Sequence, residues 1–252
     1  MKIENNWKVW DKNTNYGETL YKRAIGELPE MESSKKMAKE LAKKIQNYDK
    51  VLDVGCGSGH YLRSFRREIG NDFYYTGIDA TEEYIEFARK AFKSDPNSNF
   101  EVSDIYSIDI MDASYDIVTC NNVLLHLPSI EIPINELIRV GKKFILIRFL
   151  CGEHSFRIKD VNLETEEYDE NGEPLNYYYF NIYSKKYIQK IIEKNERVKS
   201  WSIEEDIDFD KERIRNSISD HKGAINATKI IDKYQVNVYI LLPWSILTIE
   251  LK

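Results

Sequence analysis

Three glycines at alternate positions, Gly55, Gly57 and Gly59, follow directly on the apolar run Val51-Leu52-Asp53-Val54. Glycine takes left-handed backbone angles without steric cost and lets the main chain come close to a ligand. A helix starting just behind such a turn adds unpaired first-turn N–H groups. Together these features make a cradle for a nucleotide-type ligand. Asp79 lies 20 residues beyond Gly59, the βαβ distance at which an acid at a strand tip bonds two ribose hydroxyls. A carboxylate accepts both O–H groups at once, better than an amide or a hydroxyl does. Asp79 or Thr81 also suits the N-cap of the helix that follows, and the two roles are compatible. The dinucleotide fingerprint G-x-G-x-x-G is absent, because its third glycine position holds His60. No G-K-[ST] follows either, which excludes a P-loop.

The elements that must position these residues are legible as changes of hydrophobic period. Val51 to Val54 suits a buried strand, and Tyr61, Leu62, Phe65 and Ile69 recur at helical spacing behind it. Phe73 to Asp79 is a second strand, followed by a helix carrying Tyr84, Ile85, Phe87, Ala88 and Phe92. Phe100 to Ile105 reads as a third strand ending at Asp104, and Tyr115 to Asn121 as a fourth, with His126 in the turn after it. A helix over 128–142 closed by Gly141 leads into a buried fifth strand, Lys143 to Leu150, which carries Arg148. Met37, Leu41 and Ile45 predict an amphipathic helix ahead of the first strand. Val198 to Ile203 fits a sixth strand, and either Val236 to Leu242 or Ser245 to Leu251 fits a last one. Such alternation means an α/β fold.

An acid in the first strand followed by G-x-G-x-G resembles motif I of the class I S-adenosylmethionine-dependent methyltransferases. The later acids and the run Tyr115-Asp116-Ile117-Val118 through Asn121-Asn122-Val123-Leu124-Leu125-His126-Leu127 resemble that family's following motifs, in order and spacing. The resemblance implies a Rossmann-like, seven-stranded mixed sheet with helices on both faces, an antiparallel seventh strand and the cofactor at the C-terminal strand ends. It implies S-adenosylmethionine as cofactor and S-adenosylhomocysteine as product. Cofactor-binding residues would be Asp53, Gly55, Cys56, Gly57 and Gly59, with Asp79 and Ala80 at the ribose. Asp104 would meet the adenine amine and Ile105 the ring, with Asn121 at the fourth strand's end. Members that methylate amide or exocyclic nitrogens commonly carry Asn-Pro-Pro-Tyr or Asp-Pro-Pro-Tyr where this chain has Asn121-Asn122-Val123, so that chemistry is disfavoured. His126 is the expected general base for a hydroxyl acceptor.

Composition bounds the rest. With 252 residues, 42% hydrophobic and 31% charged, the chain fits one domain over 1–252. Residues 1–30, with Trp7 and Trp10, are expected as a lid segment, and 152–182 and 204–232 as insertions over the active site, the second of them helical. His154, Arg157, Tyr178 and Tyr179 are the candidates for the acceptor's binding site, with Arg148 facing an anionic group on the acceptor or pairing with Glu153. A net charge of −6 without a dense basic tract disfavours nucleic acid. No apolar run reaches membrane-span length and no signal sequence is recognisable, so a cytoplasmic protein is expected. Cys56, Cys120 and Cys151 lack metal or CxxC spacing and read as reduced thiols, with no metal expected. The expected reaction is methyl transfer to a small polar acceptor, at the hydroxyl of a sugar, nucleotide-sugar or aromatic metabolite. Two other readings stand beside it: an N-methyltransferase on a small amine or protein side chain, and a non-catalytic cofactor-binding subunit that regulates a partner.

Overall fold

The alternating periods fold as alternating strands and helices. In the computed structural model the described residues are 14–161, 168–173, 175, 177–206, 229–231, 234–236, 240–241 and 244–252. Helices α1 (Thr14–Ile25) and α2 (Glu32–Ala42) precede the sheet. Then come β1 (Lys50–Val54), α3 (His60–Ile69), β2 (Tyr74–Asp79), α4 (Glu82–Ala91), β3 (Ser98–Val102) and β4 (Tyr115–Asn121). A single 3-10 turn, Leu124–His126, leads to α5 (Glu131–Val140) and the long strand β5 (Gly141–Gly152). Three short strands follow, β6 (Lys159–Val161), β7 (Tyr177–Tyr179) and β8 (Tyr183–Ser184), and then α6 (Lys185–Ile192) and β9 (Val198–Glu205). The last strands are β10 (Lys229–Ile231), β11 (Tyr234–Val236), β12 (Ile240–Leu241) and β13 (Trp244–Leu251).

The main sheet runs β3-β2-β1-β4-β5-β13-β9, with β8 added beside the end of β5. Neighbours from β3 to β5 are parallel, whereas β13 is antiparallel to both β5 and β9. The antiparallel last strand is thus Trp244–Leu251, and Tyr234–Val236 and Ile240–Leu241 go instead to a separate three-stranded sheet with β10. Period-two alternation feeds two cores. Ile145, Ile147 and Phe149 of β5 pack with Ile134, Leu137 and Ile138 of α5 and Ile188 and Ile192 of α6. Leu146 points to the opposite face, with Met37 and Leu41 of α2 and Leu62 and Phe65 of α3. Burying one such aliphatic side chain stabilises the fold by about 1.5–3 kcal/mol. Charges favour the helix ends where they fall: Glu82 and Glu83 open α4, and Arg66 and Arg67 close α3.

Three expectations need correction. Strand β3 stops at Val102, short of Asp104, because the Asp104 carboxylate accepts the Tyr106 N–H at 2.9 Å and turns the chain. In the stretch 204–232, Glu204 and Glu205 extend β9 and residues 229–231 form a strand rather than a helix. Arg148 pairs with Asp206, not with Glu153. Trp7, Trp10, Ile214, Ile218 and Ile225 lie outside the described residues. Among the described residues no helix is long and apolar enough to cross a membrane.

Candidate active site

Strand order reverses between β1 and β4, and ligands of such sheets bind where the C-terminal strand ends part. A cavity of about 160 Å³ opens there, walled by Gly55, Gly57, Asp79, Ala80, Asn121 and His126 among others. The glycine turn is pinned to the neighbouring strand: the N–H groups of Gly55 and Cys56 donate to the Ile78 carbonyl at 2.8 and 3.0 Å. Gly55 and Gly57 both sit at positive φ, 77° and 54°. A Cβ on Gly55 would meet Val123 Cγ2 at 2.2 Å, and one on Gly57 would meet Leu20 Cδ1 at 2.9 Å. Space and backbone angle therefore both require glycine at these two positions.

Asp79 organises the turn as well as facing the cavity. One carboxylate oxygen accepts the Gly57 N–H and the other the Thr81 N–H, each at 2.9 Å. Thr81 is the N-cap residue of α4. A carboxylate has further lone pairs beyond these two bonds, as binding of a ribose diol requires. Asp53 lies beneath the turn, fully buried, and does not line the cavity. It accepts hydrogen bonds from Tyr75 Oη and Thr119 Oγ1, both at 2.8 Å, and from Asn121 Nδ2 at 3.5 Å. Burial pushes its pKa up to about 6 against the pull of these donors. Asp53 thus orients the end of β4 from beneath the cavity. Cys56 is a buried filler whose thiol is pushed up by burial, and Gly59 starts α3 against Phe92 and Phe100. Ser103 and Ile105 line the cavity on either side of Asp104, which does not.

His126 hangs from the 3-10 turn after β4. Its Nδ1 stands 3.0 Å from the Tyr179 carbonyl oxygen. A carbonyl only accepts, so Nδ1 carries the proton and Nε2 keeps the lone pair. Burial pulls the pKa of the ring down to about 4, which leaves it uncharged near neutrality. The strand that supplies the carbonyl pairs antiparallel with β6 and is fastened to the same turn by Asn181. The Asn181 N–H donates to Leu125 O at 2.8 Å and its Nδ2 to Leu127 O at 2.9 Å, while its Oδ1 accepts from Ile158 N at 3.2 Å.

The four residues expected to hold the acceptor do not line this cavity. His154 is exposed, and Tyr178 points outward between the buried Tyr177 and Tyr179 because neighbours on a strand face opposite ways. The Arg157 guanidinium lies beside the Tyr179 and Tyr183 rings and donates to the Pro128 carbonyl. Tyr179 acts through its main chain. In their place the cavity is roofed by Tyr16 and Leu20 of α1 and by Met31, and walled by His60, Tyr61 and Asn122. Helix α1 is clamped there by Ser58 Oγ, which donates to the Gly17 carbonyl at 2.8 Å, and by the Tyr84 ring, which fills the space a side chain on Gly17 would need. Tyr16 and Leu20 fall within residues 1–30, read from the sequence as a lid segment, and their four-residue spacing puts both on one face of α1.

A doubly wound sheet with an antiparallel last strand, a glycine cradle and a ribose-binding acid defines the class I S-adenosylmethionine-dependent methyltransferase fold. A family model described as a methyltransferase domain matches residues 45–196, and the chain belongs to that family. It is 36% identical over 83 residues to the 27-O-demethylrifamycin SV methyltransferase of Amycolatopsis mediterranei, covering 32% of this chain and 30% of that protein. It is 31% identical over 118 residues to the methyltransferase YcgJ of Bacillus subtilis, covering 45% and 46%. The chain thus spans less than half the length of these curated relatives. YcgJ's crystal structure superposes with a TM-score of 0.53 at 17% identity, over 87% of this chain and 97% of that one. A Haloferax volcanii methyltransferase solved in complex with the Trm112 activator gives 0.54 at 16%, over 99% and 97%. At these identities the structural likeness concerns the fold alone.

The family's cofactor is S-adenosylmethionine, and this cavity fits it. Gly55 and Gly57 line it without side chains, the Asp79 carboxylate stands at the tip of β2, and Asn121 Oδ1 and His60 Nδ1 are buried without a hydrogen-bond partner among the described residues. Buried polar atoms are ordinarily satisfied, so a pair of orphans in one cavity wall points to a bound ligand.

Proposed function

We propose that the protein methylates a hydroxyl of a small, uncharged acceptor, with His126 as general base. The observation that carries this reading is the Nδ1 contact to Tyr179, which fixes Nε2 as the basic ring nitrogen of a residue that lines the cavity. When bound, S-adenosylmethionine supplies a methyl group on a positively charged sulfur. Gly55 and Gly57 admit the cofactor closely, and Asp79 accepts its ribose hydroxyls. Asn121 stands at the end of β4, and Ile105 packs on the base. His126 Nε2 would take the acceptor's hydroxyl proton as the oxygen–carbon bond forms and the carbon–sulfur bond breaks, its electron pair staying on the sulfur of S-adenosylhomocysteine. A ring of this low basicity does so late, once the attacking oxygen has become strongly acidic. The β6–β7 pair, within the segment 152–182, covers the base and orients it.

Among the described residues lining the cavity, Asp79 alone is charged. A cationic amine would find no carboxylate at the base, which supports a hydroxyl acceptor over an amine. The name of one relative is in keeping with this, the 27-O-demethylrifamycin SV methyltransferase; that of another, the 2-methyl-6-phytyl-1,4-hydroquinone methyltransferase, gives a hydroxyl-bearing acceptor and not the atom methylated. The test is incubation of the purified chain with methyl-labelled S-adenosylmethionine and two sets of probes, simple phenols and hydroquinones against primary and secondary amines. Label on oxygen supports the proposal; label on the amines alone overturns it.

A further inference from the structure

Two polar atoms of the cavity wall have no partner among the described residues, and they are of opposite kinds. Asn121 is 5% exposed, and its Nδ2 faces the Asp53 carboxylate at 3.5 Å. A carboxylate only accepts, so the amide's orientation is fixed and Oδ1, an acceptor, is left unpaired. His60 is 8% exposed, opens α3 directly behind the glycine turn, and forms no hydrogen bond through its ring. Its only recorded ring contact is edge-on to Tyr61, with centroids 4.7 Å apart. Burial, reinforced by the Arg23 guanidinium nearby, holds its pKa down at about 3. The ring is therefore neutral and keeps one N–H to donate.

Asp79, Gly55, Gly57, His60 and Asn121 wall one cavity, so a nucleoside whose ribose sits on Asp79 has its 5′ substituent within reach of the same walls. In S-adenosylmethionine that substituent ends in an ammonium and a carboxylate, the groups most costly to bury without partners. We infer that His60 donates to the carboxylate of the cofactor's amino-acid end while Asn121 Oδ1 accepts from its ammonium, so that the two orphans together form a zwitterion subsite. The inference rests on the cofactor reading above. It adds His60, which neither the glycine motif nor the acids assign. Leu20 and Tyr16 of α1 close the subsite from above, and Arg23, one turn further along α1, adds positive potential at the carboxylate side.

The test is calorimetric titration of the full chain with S-adenosylhomocysteine and with 5′-methylthioadenosine, which keeps the nucleoside and sulfur and lacks the amino-acid end. His60→Ala is expected to weaken S-adenosylhomocysteine by about 10- to 100-fold, the range for a hydrogen bond to a charged group. Affinity for 5′-methylthioadenosine should not change, and His60→Gln, which keeps a donor, should recover part of the loss. In the wild-type chain the His60 ring nitrogens, followed by NMR, should respond to S-adenosylhomocysteine and not to 5′-methylthioadenosine. That measurement decides the matter should His60→Ala fail to fold. Equal weakening of both ligands, weakening of neither, or a silent ring would overturn the subsite. Wild-type chain that binds neither ligand would overturn the cofactor reading itself, and the subsite with it.

Discussion

The chemistry proposed for His126 rests on Nδ1 being held by the Tyr179 carbonyl and on Nε2 being the basic nitrogen, and both halves can be tested. Replacing it by Gln removes the base while keeping a group that bonds the Tyr179 carbonyl. Turnover should fall by about 10²–10⁴-fold, with the dissociation constant for S-adenosylhomocysteine unchanged by calorimetry. In wild type the acid limb of the turnover profile should lie near pH 4, since burial holds the ring's pKa there, and not near an ordinary histidine's 6.5. The same shift bears on stability. His126 binds its proton less readily folded than unfolded, so the unfolded chain takes up protons first as pH falls below about 6.5. Stability should drop from there to about pH 4, by on the order of 3 kcal/mol for His126 alone. Asp53 works the other way. Its folded pKa of about 6 lies above the unfolded value, so its contribution is complete below about 4 and lost as pH rises to 6. Urea titrations at pH 6.5 and 4.5 should therefore show a smaller acid loss in His126→Gln than in wild type. An equal loss would mean that the ring is not neutral in the folded chain.

At the scale of elements, the segments nearest the glycine turn were legible because their signals are local. Gly55 and Gly57 need left-handed angles, and Asp79 lies at a fixed distance from them through one helix. What depended on distant pairing was not. Two β-rich runs near the end looked alike, and only the register of Trp244 to Glu250 against Leu150 to Phe144 distinguishes the sheet's last strand. On the acceptor side, Tyr177 to Tyr179 advertises aromatic side chains, while what holds His126 is the Tyr179 carbonyl, which any residue would supply. Asn181 carries no sequence motif, yet it is completely buried and joins the β6–β7 pair to the turn bearing His126. Asn181→Ala would take the acceptor from the Ile158 N–H and a donor from the Leu127 carbonyl, which keeps the Tyr183 hydroxyl at 3.2 Å. A loss of about 1–3 kcal/mol in chemical denaturation is expected. Turnover should fall further than stability explains, with S-adenosylhomocysteine affinity retained, because the hairpin orients the base and not the cofactor. An Asn181→Ala chain with wild-type turnover would detach the hairpin from the chemistry.

Across the whole molecule, one guanidinium connects the sheet's far edge to the active site. Arg148 on β5 donates through Nε and Nη2 to Asp206 Oδ2 at 3.2 and 3.0 Å, just past the end of β9. Its face stacks on Trp244 at the start of β13, 4.3 Å from the ring centroid. Its Nη1 donates to Asn122 Oδ1 at 2.7 Å, and Asn122 Nδ2 donates in turn to the Tyr61 hydroxyl at 3.2 Å in the cavity wall. The Arg148 carbonyl also accepts the Asn122 N–H at 2.8 Å, which holds Asn122 in its left-handed conformation, φ 60°. Both charges are nearly buried, at 7% and 10% side-chain exposure, so the pair's Coulombic gain is offset by desolvation and its removal as a pair is cheap. Removal of one member is not. Arg148→Met leaves Asp206 buried without its cation, and a loss of about 3–5 kcal/mol is expected. Arg148→Met combined with Asp206→Leu should cost well under the sum of the single changes, with a coupling of about 1–3 kcal/mol in a double-mutant cycle. Both Arg148 variants also release the Asn122 amide. If the relay fixes that wall, Arg148→Met and the double variant should lose turnover alike even though their stabilities differ. Turnover that instead tracks stability would leave the ion pair a purely structural clamp between β5, β13 and β9.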